Sequence, residues 1–263
     1  MKKLFLLFFV PISLLLVQTG ALYATQDVNE IIDRANKVSY YAGDDGRADV
    51  MMTITDNQGR VRNREFVILR HDVNEGREQQ FYVYFKKPSD VRKMVFMVHK
   101  NITKYDDRWL YLPALDLVKR IAASDKRTSF VGSNFFYEDV SGRSPQDDTH
   151  ILTETTDSAY VLKNTPKDQS NVEFASYTVW IDKKTFMPMK AEYFNKEGRK
   201  YRVVEAVEVK DIQGFPTVIK SRVRDLDSGG ETVMEFSNIK YNIGLKDDTF
   251  TERYLRRPPK EVR

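Results

Sequence analysis

The chain contains no cysteine, which excludes disulfides, thiolate nucleophiles and cysteine-based metal sites together. A lipobox is excluded as well, because no thiol is available to carry an acyl anchor. Histidine is nearly as scarce. His71, His99 and His150 are the whole supply; they fall on different predicted elements, and neither H-x-x-x-H nor H-E-x-x-H spacing places two rings on one face. No metal centre and no cofactor are expected. One-signed charge is also lacking, since 42 lysines and arginines face 38 acids. Without Lys2 and Lys3, which belong to a removable leader, the balance is nearer still to neutral, so no nucleic-acid footprint exists.

Nucleophile and acid–base signals are equally thin. Ser133, in Gly-Ser-Asn, lacks the G-x-S-x-G elbow and its αβ setting. The pairs Asp106-Asp107, Glu138-Asp139 and Asp147-Asp148 could supply an acid and a base or a calcium site, but neighbours on a strand face opposite ways. They read as solvated turns. Glu138-Asp139 is the exception, expected to tie its segment to backbone amides or to Arg120, Lys126 or Arg127. The basic pairs Lys86-Lys87, Arg92-Lys93, Lys119-Arg120 and Lys126-Arg127 read as solvated faces. No enzyme is expected.

Only one long apolar run exists, and it opens the chain. Lys2 and Lys3 precede Leu4 to Val17, broken by Pro11 and Ser13, and small residues follow through Ala21 and Ala24. This is the pattern of a secretory signal peptide over residues 1–24, cleaved near Ala24. The run falls short of the roughly 20 residues of a membrane span. No linker divides what remains, so residues 25–255 read as a single domain. Residues 256–263, with Arg256-Arg257-Pro258-Pro259, read as an extended C-terminal tail.

What is plentiful is alternation. Val28, Ile31, Ile32, Ala35 and Val38 recur at helical spacing, and Asp27 with Glu30 has capping-box spacing. From Ala48 the period changes to two. Strands are expected at Ala48–Thr55, Val61–Arg70, Arg77–Lys86 and Val91–His99, with turns at Asn57–Gly59 and Asn74–Gly76. A hairpin follows around Pro113-Ala114, and then strands at Ile151–Glu154, Tyr160–Lys163, Phe174–Asp182, Pro188–Asn195, Arg199–Val209, Thr217–Arg224 and Thr232–Tyr241. Roughly a dozen strands and few helices predict a mainly β (α+β) fold: a strongly curved antiparallel sheet, an incomplete β-barrel. Its concave face must be covered by helices, filled by its own side chains or occupied by a ligand.

Two apolar clusters, Trp109-Leu110-Tyr111-Leu112-Pro113-Ala114-Leu115 and Phe130 to Asp139, bracket a basic segment. This stretch resembles the longer branch of the LolA-like periplasmic carriers, the outer membrane lipoprotein-sorting proteins, in which a W-L-Y-L-P-A-L-x-x-V-x-R-I run precedes G-S-x-F-x-Y-E-D. The resemblance implies an incomplete barrel around an apolar cavity with helices over its mouth. Val28–Val38 would then be a lid or plug, and part of Ala122–Val140 would cross the opening, with Ser133 or Asn134 capping a short helical turn near Phe135–Val140. It further implies a monomeric periplasmic protein, binding a lipid or lipoprotein acyl chains and moving them from an inner-membrane exporter (RND-type or ABC) to an outer-membrane acceptor. The other reading is an interaction subunit of an RND-type exporter or envelope complex that carries nothing. The residues expected to form the cavity wall are Met52, Ile54, Phe66, Ile68, Phe81, Val83, Phe85, Phe96, Val98, Trp109 and Tyr111, with Phe135 and Phe136 on the lid. A one-residue register error would invert any of these strand faces.

Overall fold

Period-two alternation becomes one sheet. The computed structural model describes residues 27–73 and 78–263; the leader over residues 1–24 and the turn at Asn74–Gly76 lie outside the described residues. Thirteen strands follow in chain order. A first series holds β1 Asp45–Thr55, β2 Val61–Val73, β3 Glu78–Lys87, β4 Val95–Lys100, β5 Asp107–Leu112 and β6 Leu117–Arg120. A second holds β7 Asp148–Thr155, β8 Ala159–Pro166, β9 Ser176–Asp182, β10 Pro188–Phe194, β11 Lys200–Ile212, β12 Phe215–Asp225 and β13 Gly230–Tyr241.

Each series is an antiparallel meander, and the two join where β1 pairs with β13, giving the order β6-β5-β4-β3-β2-β1-β13-β12-β11-β10-β9-β8-β7. The sheet is curved and does not close, because β6 and β7 are its opposite edges. That topology dictates the lid. Consecutive strands at opposite edges can be joined only by a connection that crosses a face, and residues Ile121 to Asp147 are that connection.

Burial in β1 alternates from Ala48 through Ile54, each buried residue followed by a half-buried one, as period two requires. Strand β4 starts later than the sequence suggests. Residues Val91 to Lys93 form a turn in which the Met94 carbonyl still accepts from the Phe85 amide, and Lys93 adopts a positive φ of 68°. Ile121 likewise leaves β6 and packs into the core beneath the lid.

Helix α1, Val28–Tyr40, begins where Asp27 accepts a hydrogen bond from the Asn29 amide at 2.9 Å. Glu30 does not close the capping box; it lies 3.6 Å from Arg34, one turn on. Ile31 and Ala35 are buried against Leu162, Val179, Ile181 and Phe186, so the helix sits over β8 and β9. Its other apolar side, through Ile32 and Val38, faces the concave interior of the sheet.

Both faces of the first series are apolar. One carries Phe81, Val83 and Phe85 of β3 towards the lid. The opposite face buries Val67, Leu69, Tyr82, Val95 and Met97 under the C-terminal segment, through Leu245, Phe250, Leu255 and Val262. Residues 256–263 are therefore not a free extended tail. A short helix α3, Arg253–Arg256, and a 3-10 turn at Lys260–Val262 fold against the sheet. The Tyr82 hydroxyl donates to the Tyr254 carbonyl, Arg47 donates to the Glu261 carbonyl, and Val262 is fully buried. The apolar face beneath overrides the local proline and arginine preference for extended chain.

Candidate functional site

The crossing connection covers only part of the concave face. Phe130, Phe135 and Tyr137 descend onto the sheet, where Phe130 meets Phe66, Phe85 and Phe96 at ring-centroid distances of 6.2, 5.8 and 5.6 Å. Beneath them Met52, Ile54, Phe85, Phe96 and Val98 are almost fully buried in one cluster. Between this packed half and α1 remains a hollow of about 500 Å³. Ile32, Ala35 and Val38 of α1 form its roof. Phe66, Ile68, Phe81, Val83, Phe130 and Phe135 line one side, and Val179, Met187, Val204, Val218, Met234 and Phe236 of the second series line the other. Val204, Val218, Phe236 and Ile239 stay half-buried, so the hollow communicates with solvent along β11 to β13.

Charged side chains fix the lid at one end of this hollow. Tyr137–Ser141 is a single helical turn, α2, capped by Asp139, which accepts from the Phe136 amide at 2.6 Å and pairs with the buried Arg202 at 2.5 Å. Ser133 and Asn134 do not cap it. The Ser133 hydroxyl accepts from the Phe135 amide, and Asn134 is held to Thr232 of β13 through its amide and its side chain.

Glu138 is the centre of the charge network. Its carboxylate meets Lys126 at 2.9 Å, Arg127 at 2.7 Å and Arg143 at 3.4 Å with only 4% of the side chain exposed. Burial alone would raise its pKa, but Arg127, then Lys126 and Arg143, outweigh that and hold it down at about 2. Arg127 reaches on to Glu173, and Arg143 forks onto Asp148, which also accepts from the Tyr177 hydroxyl. Of the three expected cations, Lys126 and Arg127 are present; Arg120 instead pairs with Asp107.

Behind the lid, Lys100 donates to the Ser141 carbonyl at 2.7 Å and lies 5.0 Å from the Tyr40 ring. Burial depresses its pKa to about 8 against the pull of Asp106 and Glu138. Gly142, at φ 76°, is where α1 and the lid touch: any Cβ there would overlap the Tyr40 ring. The segment after α1 is pinned by Arg70, which donates to the Tyr40, Ala42 and Gly43 carbonyls, and by Gln79.

Of the expected wall residues, Met52, Ile54, Phe85, Phe96 and Val98 are packed in the core and do not line the hollow, and two more lie on the wrong side of the sheet. Trp109 stands opposite Met97, and Tyr111 opposite Val95. Met97 and Val95 in turn face Tyr82 and Tyr84. Directly paired residues share a face, so Trp109 and Tyr111 belong to the convex cluster beneath the C-terminal segment, and it is Leu110, opposite Phe96, that points to the lid side. Phe136 is on the lid but outside the hollow, sandwiched between the guanidinium groups of Arg127 and Arg202 at 4.9 and 4.3 Å. The wall contributed by β9 to β13 was missed, although Val204 and Ala206, and Met234 and Phe236, show the same alternation.

The histidines are spent on structure. His71 bonds Asp247 at 2.7 Å, His99 bonds the Phe250 carbonyl at 2.7 Å, and His150 bridges Asn164 and the Pro145 carbonyl. Among the described residues no group of three or more His, Cys, Asp or Glu is placed to hold a metal ion. No helix among them is long and apolar enough to cross a membrane.

The overall fold is shared with solved relatives. A family model described as an uncharacterized protein matches residues 77–257. A DUF1329 family protein from Desulfovibrio piger is 28% identical over 87% of this chain and 98% of its own, with a TM-score of 0.78. A domain from Vibrio parahaemolyticus named for outer membrane lipoprotein sorting is 27% identical over 87% of this chain and 97% of its own, with a TM-score of 0.79. The chain belongs to the uncharacterized family of that model, and its fold is LolA-like. A LolA superfamily protein from Nitrosomonas europaea shares the fold of this LolA-like chain, at 21% identity over 86% of it and 98% of the other, with a TM-score of 0.66. No curated protein matches.

Proposed function

We propose that this LolA-like protein is a periplasmic carrier without chemistry of its own, which takes up a lipid or the acyl chains of a lipoprotein and passes them towards the outer membrane. The observation that carries this reading is the apolar hollow of about 500 Å³ left between α1, the crossing loop and the sheet. A sheet meant only as a docking surface would fill its concave face, as the convex face is filled. The Vibrio relative named for lipoprotein sorting supports the same reading.

The physical need is simple. Each exposed methylene costs about 0.8 kcal/mol, so a 16-carbon chain in water costs on the order of 10 kcal/mol, and unaided crossing of an aqueous compartment is slow. A hollow lined by Met187, Met234 and aromatic rings can close around different shapes without gripping one of them irreversibly. The leader at residues 1–24 would deliver the chain to the periplasm. An inner-membrane exporter would be the donor and an outer-membrane site the acceptor.

Native mass spectrometry of mature protein purified from cells tests the reading. Reproducible acyl-containing adducts, together with uptake of a fluorescent fatty-acid probe, are expected. A clean apo mass with no probe uptake would sink the carrier and leave the non-carrying interaction subunit.

A further inference from the structure

Three of the basic pairs that read as solvated faces in the sequence come together in the fold. Val95 of β4 stands opposite Tyr111 of β5, so the turn at residues 88–93 and the tip of the β5–β6 hairpin lie at the same end of the sheet. Arg256 of α3 reaches that tip, its Nε 2.9 Å from a carboxylate oxygen of Asp116. Residues 86–93, 113–120 and 253–257 together hold nine lysines and arginines against two acids, while the rest of the chain carries more acids than bases. Both acids are already neutralised, Asp116 by Arg256 and Asp90 by Arg64 at 3.3 Å. Arg92, Lys93, Lys119 and Arg257 are exposed and have no carboxylate partner among the described residues.

The same edge exposes apolar side chains. Leu115 is 71% and Leu117 45% exposed. They do not sit on a loose loop. Pro113–Leu115 is a 3-10 turn, and Asp116, at φ 44°, is held by the Tyr111 hydroxyl at 3.2 Å and by Arg256 through both its carboxylate and its carbonyl. Aspartate tolerates that left-handed conformation. The leucines on either side of it are thereby presented at fixed positions, with little ordering left to do on contact.

We propose that this edge docks the protein on an anionic membrane surface, with Leu115 and Leu117 entering the interfacial layer and the surrounding lysines and arginines meeting lipid phosphates. Cations near a negative leaflet and leucines at the acyl boundary both add to binding. A hairpin tip offers no groove for a partner's side chains, and unpaired cations spread over three separate stretches suit the diffuse charge of a leaflet better than the fixed carboxylates of an acidic protein. None of these residues lines the hollow, so the docking edge is independent of what the hollow carries.

Sedimentation of the mature protein with vesicles tests the proposal. One set of vesicles contains phosphatidylethanolamine and phosphatidylglycerol, the other phosphatidylcholine alone. Partition is expected to be about tenfold or more stronger on the anionic set. It should weaken by a similar factor as ionic strength rises from about 0.1 M to about 1 M, which shortens the screening length from about 10 Å to about 3 Å. Replacing three cations together, Arg92→Gln, Lys119→Gln and Arg257→Gln, should weaken it about a hundredfold, at roughly fivefold per cation. Leu115→Ser with Leu117→Ser should weaken it about tenfold, with the thermal midpoint and the uptake of a fluorescent fatty-acid probe unchanged. Equal partition on both vesicle sets, no partition at low salt, wild-type partition by either variant, or a lowered midpoint in the leucine variant would overturn the proposal. Each of these outcomes leaves the carrier reading standing, because probe uptake is measured without vesicles.

Discussion

The two faces of strands β2 to β5 begin with the same material and end differently. On the convex side Tyr82, Val95, Met97 and Trp109 are sealed by Leu245, Phe250, Leu255 and Val262 of the C-terminal segment. On the concave side Phe66, Phe81, Phe85 and Phe96 meet Phe130 and Phe135, but the cover stops short and a hollow remains beside α1. The convex cover lies flat and is fastened along its length, by His71 to Asp247, His99 to Phe250 and Tyr82 to Tyr254. The concave cover is fastened at separate points, Glu138, Asp139 and Asn134, with apolar wall between them. Apolar strands alone do not make a binding site. A hollow is left only where the cover stops short of the face beneath it.

The largest effect should come from breaking the sealed face. Phe250 is fully buried, packs over His71 and supplies the carbonyl that His99 bonds. Phe250→Ala is expected to cost about 4 kcal/mol of unfolding free energy, measured by urea denaturation, while the fatty-acid probe binds the remaining folded protein as before. Loss of binding in the folded variant would show that the convex cover is coupled to the hollow, and the contrast between the faces would fail.

How the faces divide was only partly legible in the sequence. Alternation along β1 and β3 assigns Met52, Ile54, Phe81 and Val83 to one face because each strand carries its own period. Pairing register is not local. Whether Trp109 stands opposite Phe96 or Met97 depends on how many residues the loop at 101–106 uses, and that single residue of register placed Trp109 and Tyr111 on the other face. The hollow was half legible. Phe66, Ile68, Phe81 and Val83 of its β2 and β3 wall were anticipated, whereas Val204, Met234 and Phe236 became wall only because β1 pairs with β13, a contact between strands nearly two hundred residues apart. The fastening of Lys126 and Arg127 to Glu138 was readable because all three lie on one short connection; Arg143 joins from its far end.

A second effect, somewhat smaller, should come from the charged fastening of the concave cover. Glu138→Gln leaves Arg127, Lys126 and Arg143 around a neutral amide and is expected to cost about 3 kcal/mol near neutral pH. The pH dependence follows from the sign of the shift. The folded carboxyl titrates at about 2, below its ordinary 4.5, so its contribution is fully present above about 4.5 and is lost as pH falls towards 2. The stability gap between wild type and Glu138→Gln, followed by thermal melts, should therefore shrink across that window. A gap that stays constant down to pH 2 would mean that Glu138 acts through packing and not through charge.

The smallest effect on stability should accompany the largest effect on binding. Ala206 lines the hollow and is half-buried on β11, where added volume enters open space instead of displacing packed neighbours. Ala206→Trp is expected to change unfolding free energy by less than about 1 kcal/mol, in contrast to overpacking a filled core, which costs about 1 to 3. Probe affinity should fall at least tenfold, because the indole takes volume that the chain would occupy. On the sealed face no such separation is available: every residue that matters there matters to folding. If Ala206→Trp destabilised the protein by several kcal/mol, the concave face would be filled in solution as the convex face is, and the hollow would not be the feature that distinguishes them.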